Sequence, residues 1–173
     1  KLWREAAMVS LIYDNGLRAA SLVAIRNEDV DWEENVIQLQ HVKGGKELPV
    51  PFGDATWRRL DRWRRHRLDK KSPWLFTGSR GKLTANGVYQ IISKVFEGMG
   101  IEHVGPHLIR HSFAAAYMSD DSAQWQDLKE VGLWSSDTMP QRYARMAKRQ
   151  RARVAHRRLS PVERLASMTD EVG

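Results

Sequence analysis

The sequence holds 173 residues, 28% of them charged, and carries a formal net charge of +7. This length suits one domain with a sizeable core, and the basic balance favours a polyanionic partner such as nucleic acid, although a basic protein without such a partner fits the charge equally well. The chain has no cysteine, no long apolar stretch and a charged, amphipathic start, which exclude a disulfide framework, a thiolate metal site, a cysteine nucleophile, a membrane-spanning segment and a signal-peptide core within these residues.

The first half of the chain is predicted to form three helices and a small antiparallel sheet. Apolar residues at helical spacing predict helices over residues 1–15, 19–26 and 54–70. The last of these has Leu68 among its inward apolar residues and arginines around its other side. Short apolar runs predict strands over residues 36–41 and 46–51, with a third strand starting at Asp31-Trp32. Lys43-Gly44-Gly45 is typical of the tight turn of a hairpin.

The second half is predicted to be helical. Residues 72–82 are rich in turn formers and read as a loop. Helices are predicted over residues 84–99 and 106–118, and a shorter one ends at Val131 after a break at Asp120-Asp121-Ser122. Thr138-Met139-Pro140-Gln141 is a capping-box start that predicts a short helix carrying Tyr143, and Ser160-Pro161-Val162-Glu163 begins a last helix in the same way.

These elements predict an α+β fold that is mostly α-helical with one small antiparallel sheet or hairpin. We expect one domain over residues 1–173, with a core over residues 1–150 and a C-terminal tail helix within residues 151–173. The abrupt entry into a helix at Lys1 suggests a fragment whose N-terminal part has been left off.

Six side chains spread along the chain supply the groups that phosphoryl transfer to a tyrosine needs: two guanidiniums, an ammonium acid, an imidazole, an indole N–H donor and a phenol nucleophile. They are Arg18, Lys43, His107, Arg110, Trp134 and Tyr143. Taken singly, all except the His107 and Arg110 pair are more simply explained as surface, turn or core residues. Their order along the chain is therefore what carries the interpretation.

The segment from Pro106 to Ala114, PHLIRHSFA, is the most specific part of the sequence. His107 and Arg110 are three residues apart on a predicted helix and so share one face. A metal site at His107 and His111 is the alternative, but the segment has no Asp or Glu to complete one, and we expect no metal and no cofactor. His111 is assigned a structural role, bonding the backbone or a neighbouring helix.

The order and local contexts of these residues resemble the catalytic domain of the tyrosine recombinases, also called the phage integrase family. The resemblance covers about residues 10–150 and rests on five segments: GLR ending at Arg18, VKGGKELPVPF with Lys43, the H-x-x-R box, GLWSS with Trp134, and QRYAR with Tyr143. It implies the catalytic-domain fold of that family and a site-specific recombinase or integrase that cleaves and rejoins DNA through a 3′-phosphotyrosyl intermediate. Neither ATP nor metal is needed in such a reaction.

The resemblance also implies the role of each residue. Arg18 and Arg110 clamp the phosphate, Lys43 protonates the leaving 5′ oxygen with Lys46 as the second candidate, and His107 exchanges a proton with the attacking or leaving oxygen. Tyr143 is the nucleophile. Two positions depart from the family pattern. Ser21 stands where an acidic residue is usual, and Trp134 stands where histidine is commoner, so that this position can donate a hydrogen bond but cannot transfer a proton.

Double-stranded DNA is the expected partner, with candidate contacts from Lys46, Arg80, Lys82, Arg142 and Arg145. The arginines of the helix over residues 54–70 are as well explained by solvation as by DNA contact. The resemblance implies a homo-oligomer, a tetramer on DNA, in which the C-terminal segment docks on a neighbouring protomer; packing in cis is equally open. It further implies an absent N-terminal core-binding domain and a cytoplasmic, nucleoid-associated protein of prokaryotic, phage or mobile-element origin.

Two other functions stay open at this stage. One is a basic DNA-binding module without catalysis, degenerate through Ser21 and Trp134. The other is a nicking-closing enzyme like the type IB topoisomerases, which shares the chemistry. The spacing from the hairpin to the H-x-x-R box and the GLWSS segment favour a recombinase.

Overall fold

The computed structural model describes residues 2–40 and 48–170. These residues form eight α-helices, one short 3₁₀ helix (Asn27–Asp29) and five short strands. The helices are α1 (Trp3–Asn15), α2 (Ala19–Ala24), α3 (Asp54–His66), α4 (Ala85–Glu97), α5 (Pro106–Tyr117), α6 (Trp125–Val131), α7 (Thr138–Leu159) and α8 (Pro161–Asp170). The strands are β1 (Val30–Asp31), β2 (Val36–Leu39), β3 (Leu48–Pro51), β4 (Thr77–Gly78) and β5 (Gly81–Lys82). The predicted class, mostly helical with a small antiparallel sheet, is confirmed, and the described residues contain a second, two-stranded sheet. Within the described ranges, no helix is both long and apolar enough to pass through a bilayer.

The main sheet has the order β1-β2-β3 with antiparallel neighbours. Ile37 pairs with Val30 on one side and Val50 on the other, and these three side chains are buried, so one face of the sheet closes the core. The strand predicted to start at Asp31-Trp32 corresponds to β1. Because β1 ends at Asp31, Trp32 lies outside it, and the prediction for Trp32 is wrong. Lys43-Gly44-Gly45, which is predicted to form a tight turn, follows β2 and precedes β3 in the sequence and lies outside the described residues.

The core has two parts. The larger is built around α1, whose fully buried residues recur one helical turn apart and pack towards α3 and α5: Ala7, Met8, Leu11 and Ile12. The smaller joins α5, α6 and α7 through Phe113, Ala114, Met118, Leu128 and Tyr143. Because Tyr143 belongs to this second cluster, α7 is held against the helix that carries the H-x-x-R box.

A glycine ends α1 and sets the path into α2. Gly16 has φ +62°, in the left-handed region, and its N–H donates to the Ile12 carbonyl at 2.7 Å. A Cβ at this position would lie 2.5 Å from Cδ1 of Phe113 on α5. Both the backbone conformation and the close approach of α5 therefore require glycine here.

Helix α3 ends four residues earlier than predicted, because Arg67 leaves the helical conformation to make tertiary contacts. Its guanidinium is buried and donates to the Asn27 side chain at 2.9 Å and to the carbonyls of Trp74, Leu75, Lys70 and Ser72. Leu68, beyond the helix end, is fully exposed. The prediction that Leu68 lies on the inner side of the helix is wrong.

The segment predicted as a loop over residues 72–82 contains a minimal hairpin. Thr77 pairs with Lys82 and Gly78 with Gly81, and the turn between these pairs carries Arg80. Two residues per strand are too few to give a periodic sequence signal, so turn formers dominate the pattern.

The prediction of a short helix for Tyr143 is wrong, since α7 runs for 22 residues through the whole basic stretch. Residues 141–159 contain neither glycine nor proline and are mostly good helix formers. The capping box expected at Thr138 is also absent, because the helix is preceded by Asp137 and no side chain caps it. Ser160, which precedes Pro161, has ψ 126°, outside the helical region, and ends the helix. The boundary predicted at residue 150 falls inside α7.

We expect Gly16→Ala to lower the free energy of unfolding by about 2–4 kcal/mol, because it adds left-handed strain to overlap with Phe113. Gly100→Ala is the matched control. Gly100 has φ +79°, but a Cβ there would meet no described atom within 4 Å, so only the conformational cost applies, roughly 1 kcal/mol. Chemical denaturation measures both, and equal losses would show that the packing of Phe113 against Gly16 contributes nothing.

Candidate active site

Four parts of the fold bring five of the six predicted catalytic residues into one cluster. The junction of α1 and α2 carries Arg18, the start of α5 carries His107 and Arg110, the loop between α6 and α7 carries Trp134, and the first turns of α7 carry Tyr143. The sixth predicted residue, Lys43, lies outside the described residues, as does Lys46.

Arg110 is the buried cation of the cluster, with 5% of its surface exposed. Its Nη1 donates to the Gly16 carbonyl, and its guanidinium lies 3.8 Å from the centroid of the Trp134 ring. Its Nη2 is buried and has no hydrogen-bond partner among the described residues. A buried, unsatisfied guanidinium donor is costly, and an anion with two oxygens satisfies it well.

Burial lowers the pKa of Arg110 to about 10, and the positive charge of Arg18 contributes to the lowering. The group remains protonated at neutral pH. It is thus a fixed cation with little solvent around it, and an anion that reaches it is attracted more strongly than it would be in water.

Arg18 is exposed at the start of α2, and its Nη1 donates to the Leu133 carbonyl at 3.0 Å. Leu133 has φ +54°, an uncommon conformation for a non-glycine residue, in the loop that leads to Trp134. The Leu133 carbonyl therefore holds the Arg18 guanidinium. The acidic residue that is usual in the family is replaced here by Ser21, for which the structure gives no bond to Arg18. Because a carbonyl carries no formal charge, Arg18 keeps its full positive charge for a ligand.

Trp134 is a platform for Arg110. Its ring is parallel to that of Phe113, with 6.4 Å between centroids, and its backbone N–H donates to the Lys129 carbonyl at 3.0 Å. A Cβ at Gly132 would overlap the Trp134 ring, so the GLW sequence is needed for the indole to fold back over α6. The face of the indole attracts the guanidinium directly.

A chain of contacts joins Tyr143 to His107 through His111. Tyr143 is 6% exposed, and its hydroxyl contacts Nδ1 of His111. Nε2 of His111 lies 2.9 Å from Nε2 of His107, with the two rings nearly perpendicular and 4.3 Å apart. His107 is exposed to solvent at the start of α5.

The role of His111 is what the sequence reasoning missed. His111 does bond a neighbouring helix, as expected, but the atom it touches is the phenol oxygen. The available signal is its position one helical turn after His107, a spacing that places the two imidazoles on one face of α5. Burial lowers the pKa of His111, and the charges of Arg110 and Arg142, together with that of His107 when it is protonated, lower it further, so the His111 imidazole is neutral at neutral pH.

The remaining predicted DNA-contacting residues are distributed over two elements. Arg142 and Arg145 are exposed on α7 on either side of Tyr143. Arg80 is exposed in the β4–β5 turn, and the Lys82 ammonium lies 3.4 Å from the centroid of the Trp74 ring. In the part of the chain that the structure describes, no three His, Cys, Asp or Glu side chains are grouped to hold a metal.

A hollow of about 640 Å³ adjoins the cluster. Arg18, Ser21 and Trp134 line one part of it, and Gln40 and Leu48 line another. Gln40 and Leu48 are the described residues on either side of the segment that carries Lys43. Both ends of that segment thus border the hollow in which Arg18 lies.

The chain belongs to the phage integrase family, whose model matches residues 2–150. The tyrosine recombinase XerC of Corynebacterium glutamicum is 31% identical over 147 residues, covering 83% of this chain and 47% of that protein. The tyrosine recombinase XerA of Pyrococcus furiosus is 34% identical over 115 residues, covering 64% of this chain and 40% of that protein. The chain spans about half the length of the curated relatives it matches.

Solved structures show the same fold. The crystal structure of XerA recombinase superposes with a TM-score of 0.77 at 23% identity, covering 92% of this chain and 57% of that one. The XerH site-specific recombinase bound to a palindromic difH substrate superposes with a TM-score of 0.71 at 21% identity, covering 89% of this chain and 45% of that one.

Two buried arginines give a matched test of whether Arg110 serves stability or a ligand. Arg67→Met should lower the free energy of unfolding by about 2–4 kcal/mol, because it strands several carbonyls that the guanidinium satisfies. Arg110→Met should change it by no more than about 1 kcal/mol, because the desolvated cation has an unsatisfied donor and is repelled by Arg18. Chemical denaturation of the two variants checks this. A loss at Arg110 as large as that at Arg67 would identify Arg110 as a structural residue.

Proposed function

We propose that the chain is the catalytic domain of a site-specific DNA recombinase or integrase that cleaves and rejoins DNA through a 3′-phosphotyrosyl intermediate on Tyr143. The observation that carries this proposal is the cluster itself: two guanidiniums, one with a buried donor that lacks a described partner, beside a buried phenol. Membership of the phage integrase family supports the same function.

The scissile phosphate is proposed to lie between Arg110 and Arg18. Nη2 of Arg110 can donate to one phosphate oxygen, and the exposed guanidinium of Arg18 can donate to another. Together the two cations stabilise the charge that grows in the pentacoordinate transition state. Donors fixed in advance in this way typically contribute about 10²–10³-fold each to the rate.

Tyr143 is the proposed nucleophile. Its ring lies 6.4 Å from that of Trp134, the platform of Arg110, so the hydroxyl and the phosphate clamp share one cluster. Attack of the phenol oxygen on phosphorus forms the 3′-phosphotyrosyl bond and breaks the bond to the 5′ oxygen. Attack by a 5′ hydroxyl of a second strand reverses the step. One phosphoester replaces another each time, so the bond energy is conserved without ATP.

Lys43 is the proposed general acid for the leaving 5′ oxygen, with Lys46 as the second candidate. An alkoxide leaves poorly, and an ammonium that donates a proton to it removes much of that barrier. The proposal is supported by Gln40 and Leu48, which flank the lysine segment and line the same hollow as Arg18.

DNA is the proposed substrate, and the cytoplasm the proposed place of the reaction. The net charge of +7 and the exposed Arg142 and Arg145 beside Tyr143 support a phosphate-rich partner. Arg80, Lys82 and Lys46 are proposed as further contacts to the DNA backbone. Contacts of this kind hold DNA without reading its sequence. Structures of the relative XerH are of that protein with its difH substrate.

Assembly on DNA is proposed to use the C-terminal end of the chain. Val154, Leu159 and Val162, at the end of α7 and the start of α8, are between 47% and 72% exposed, which is unusual for three apolar side chains so close in sequence. Docking of this segment on a second copy would cover them. We propose that the protein forms a homo-oligomer, a tetramer on DNA, through this segment.

A trapped covalent adduct tests the catalytic proposal. The probe is a pool of duplexes with randomised sequence around a nick, so that cleavage beside the nick releases a short strand and prevents rejoining. The chain should form a protein–DNA band that survives denaturing electrophoresis. Tyr143→Phe should abolish the band while retaining DNA in a native gel, and Tyr117→Phe, a partly buried tyrosine on α5, should form it normally.

Two outcomes of this experiment would contradict the proposal. If the unaltered chain retains DNA and forms no band, it is a DNA-binding module without catalysis. If Tyr143→Phe still forms the band, the nucleophile is another residue. The sequence recovered from the covalent band is the enriched sequence, and strand exchange between two duplexes that carry it then separates a recombinase from a nicking-closing enzyme.

The tail proposal predicts that Val162→Glu lowers the molecular mass of the complex on DNA, because it places a charge in an apolar contact. Mass photometry on an enriched duplex measures the change, and Glu163→Gln, at the next residue, is the control. An unchanged distribution of masses for Val162→Glu would rule out this segment as the oligomer contact.

A further inference from the structure

We propose that His111 is a catalytic residue that accepts the proton of Tyr143 and passes a proton on to His107. This inference rests on the proposed role of Tyr143 as nucleophile. It assigns to His111 the step that makes the phenol reactive at neutral pH. A phenol has a usual pKa of roughly 10 and is almost wholly protonated at that pH.

The geometry of the three groups carries the inference. The Tyr143 hydroxyl touches Nδ1 of His111, and Nε2 of His111 lies 2.9 Å from Nε2 of His107. Two imidazole nitrogens at that distance cannot both carry a proton, so one donates and the other accepts. With the proton on Nε2 of His111, Nδ1 is free to accept from the phenol. Every group in the chain is then neutral and satisfied.

The burial of Tyr143 favours this direction. A buried phenol O–H needs an acceptor, and Nδ1 of His111 is in direct contact with the phenol oxygen. The opposite arrangement would have His111 donate to the phenol oxygen and His107 donate to His111. That arrangement would leave the phenol proton without this acceptor, close to the cations Arg110 and Arg142.

The positive charges around His111 disfavour its imidazolium, so His111 passes the proton on and does not retain it. Among the described residues, the titratable and charged groups that act on it are His107 and Arg110 on α5 and Arg142 and Tyr143 on α7, and none of these four is a carboxylate that would hold an imidazolium in place. His107, at the exposed start of α5, is the next group in the chain. The proton therefore has a path from a buried oxygen to a solvated nitrogen.

The proton balance of the step is complete without another reactant. The Tyr143 O–H bond breaks as its oxygen bonds phosphorus, and Nδ1 of His111 gains that proton. His111 gives its Nε2 proton to Nε2 of His107, which becomes an imidazolium. The P–O bond to the 5′ oxygen breaks with its electron pair, and that oxygen takes a proton from a general acid. The imidazolium of His107 can then give up its extra proton to restore the general acid. The net change is that the phenol has lost one proton and the 5′ oxygen has gained one.

Rates of adduct formation on an enriched nicked duplex test the relay. His111→Ala should be about 100-fold slower than the unaltered chain at pH 7, the usual size of a general-base contribution. The deficit should fall below about 10-fold by pH 9.5, because the phenol then ionises by itself. His111→Asn keeps an oxygen near the Nδ1 position but cannot take the proton, so it should be as slow as His111→Ala at pH 7.

His103→Asn is the matched control, since His103 is a solvent-exposed histidine in a loop and should react at the unaltered rate. Thermal unfolding and DNA retention of each variant show whether the fold is intact. A His111→Asn variant that reacts at the normal rate would overturn the relay, as would a His111→Ala deficit of the same size at every pH, because a structural role alone produces either result.

Nitrogen NMR of the histidine rings in the free chain gives an answer that does not depend on cleavage. With His111 identified by the loss of its resonances in His111→Asn, we expect its Nε2 to be protonated and its Nδ1 unprotonated at pH 7.5. Tyr143→Phe should shift the Nδ1 resonance. A protonated Nδ1 overturns the relay whatever the activity of the chain. Failure of the unaltered chain to form any adduct, with the expected tautomer present, would instead count against the proposed function.

Discussion

The contact on which the arrangement of the candidate site depends is that of the Arg110 guanidinium with the Gly16 carbonyl and the Trp134 ring. It joins three segments that are far apart in sequence: the end of α1, the start of α5 and the loop before α7. The carbonyl comes from a residue whose left-handed conformation ends α1, and the ring can take its place only because Gly132 has no side chain. The local conformations on both sides of Arg110 are thus conditions for its position.

Comparison with Arg67 shows why this contact does not serve stability alone. Both arginines are buried, and burial lowers the pKa of both. The guanidinium of Arg67 donates to backbone carbonyls and to the side-chain oxygen of Asn27. Arg110, in contrast, has a buried Nη2 with no partner among the described residues. Most buried donors in proteins are satisfied, and an unsatisfied one within a cationic cluster supports the proposal that its partner is a ligand.

Sequence reasoning was reliable where local pattern decides structure. Periodic apolar residues located α1, α4 and α5 to within a few residues, and the H-x-x-R spacing placed His107 and Arg110 on one helix. It failed where tertiary contacts decide. Arg67 ends α3 because its guanidinium bonds the Asn27 side chain and the Trp74 carbonyl, which lie outside the helix. No local sequence signal predicts these contacts. The meeting of His111 with Tyr143 depends on how α7 crosses α5, and Leu133 holds Arg18 through a backbone conformation that its residue type does not predict.

The unbroken course of α7 has a mechanical consequence. Tyr143 lies in its second turn, and Leu159 ends it about 24 Å away at 1.5 Å per residue. Without a glycine or proline between them, these two points belong to one stiff rod. A tilt or rotation imposed on the far end, by any body that grips it, is delivered to the phenol at the near end. The distance between the phenol oxygen and its imidazole neighbour is therefore open to control from a surface several turns away.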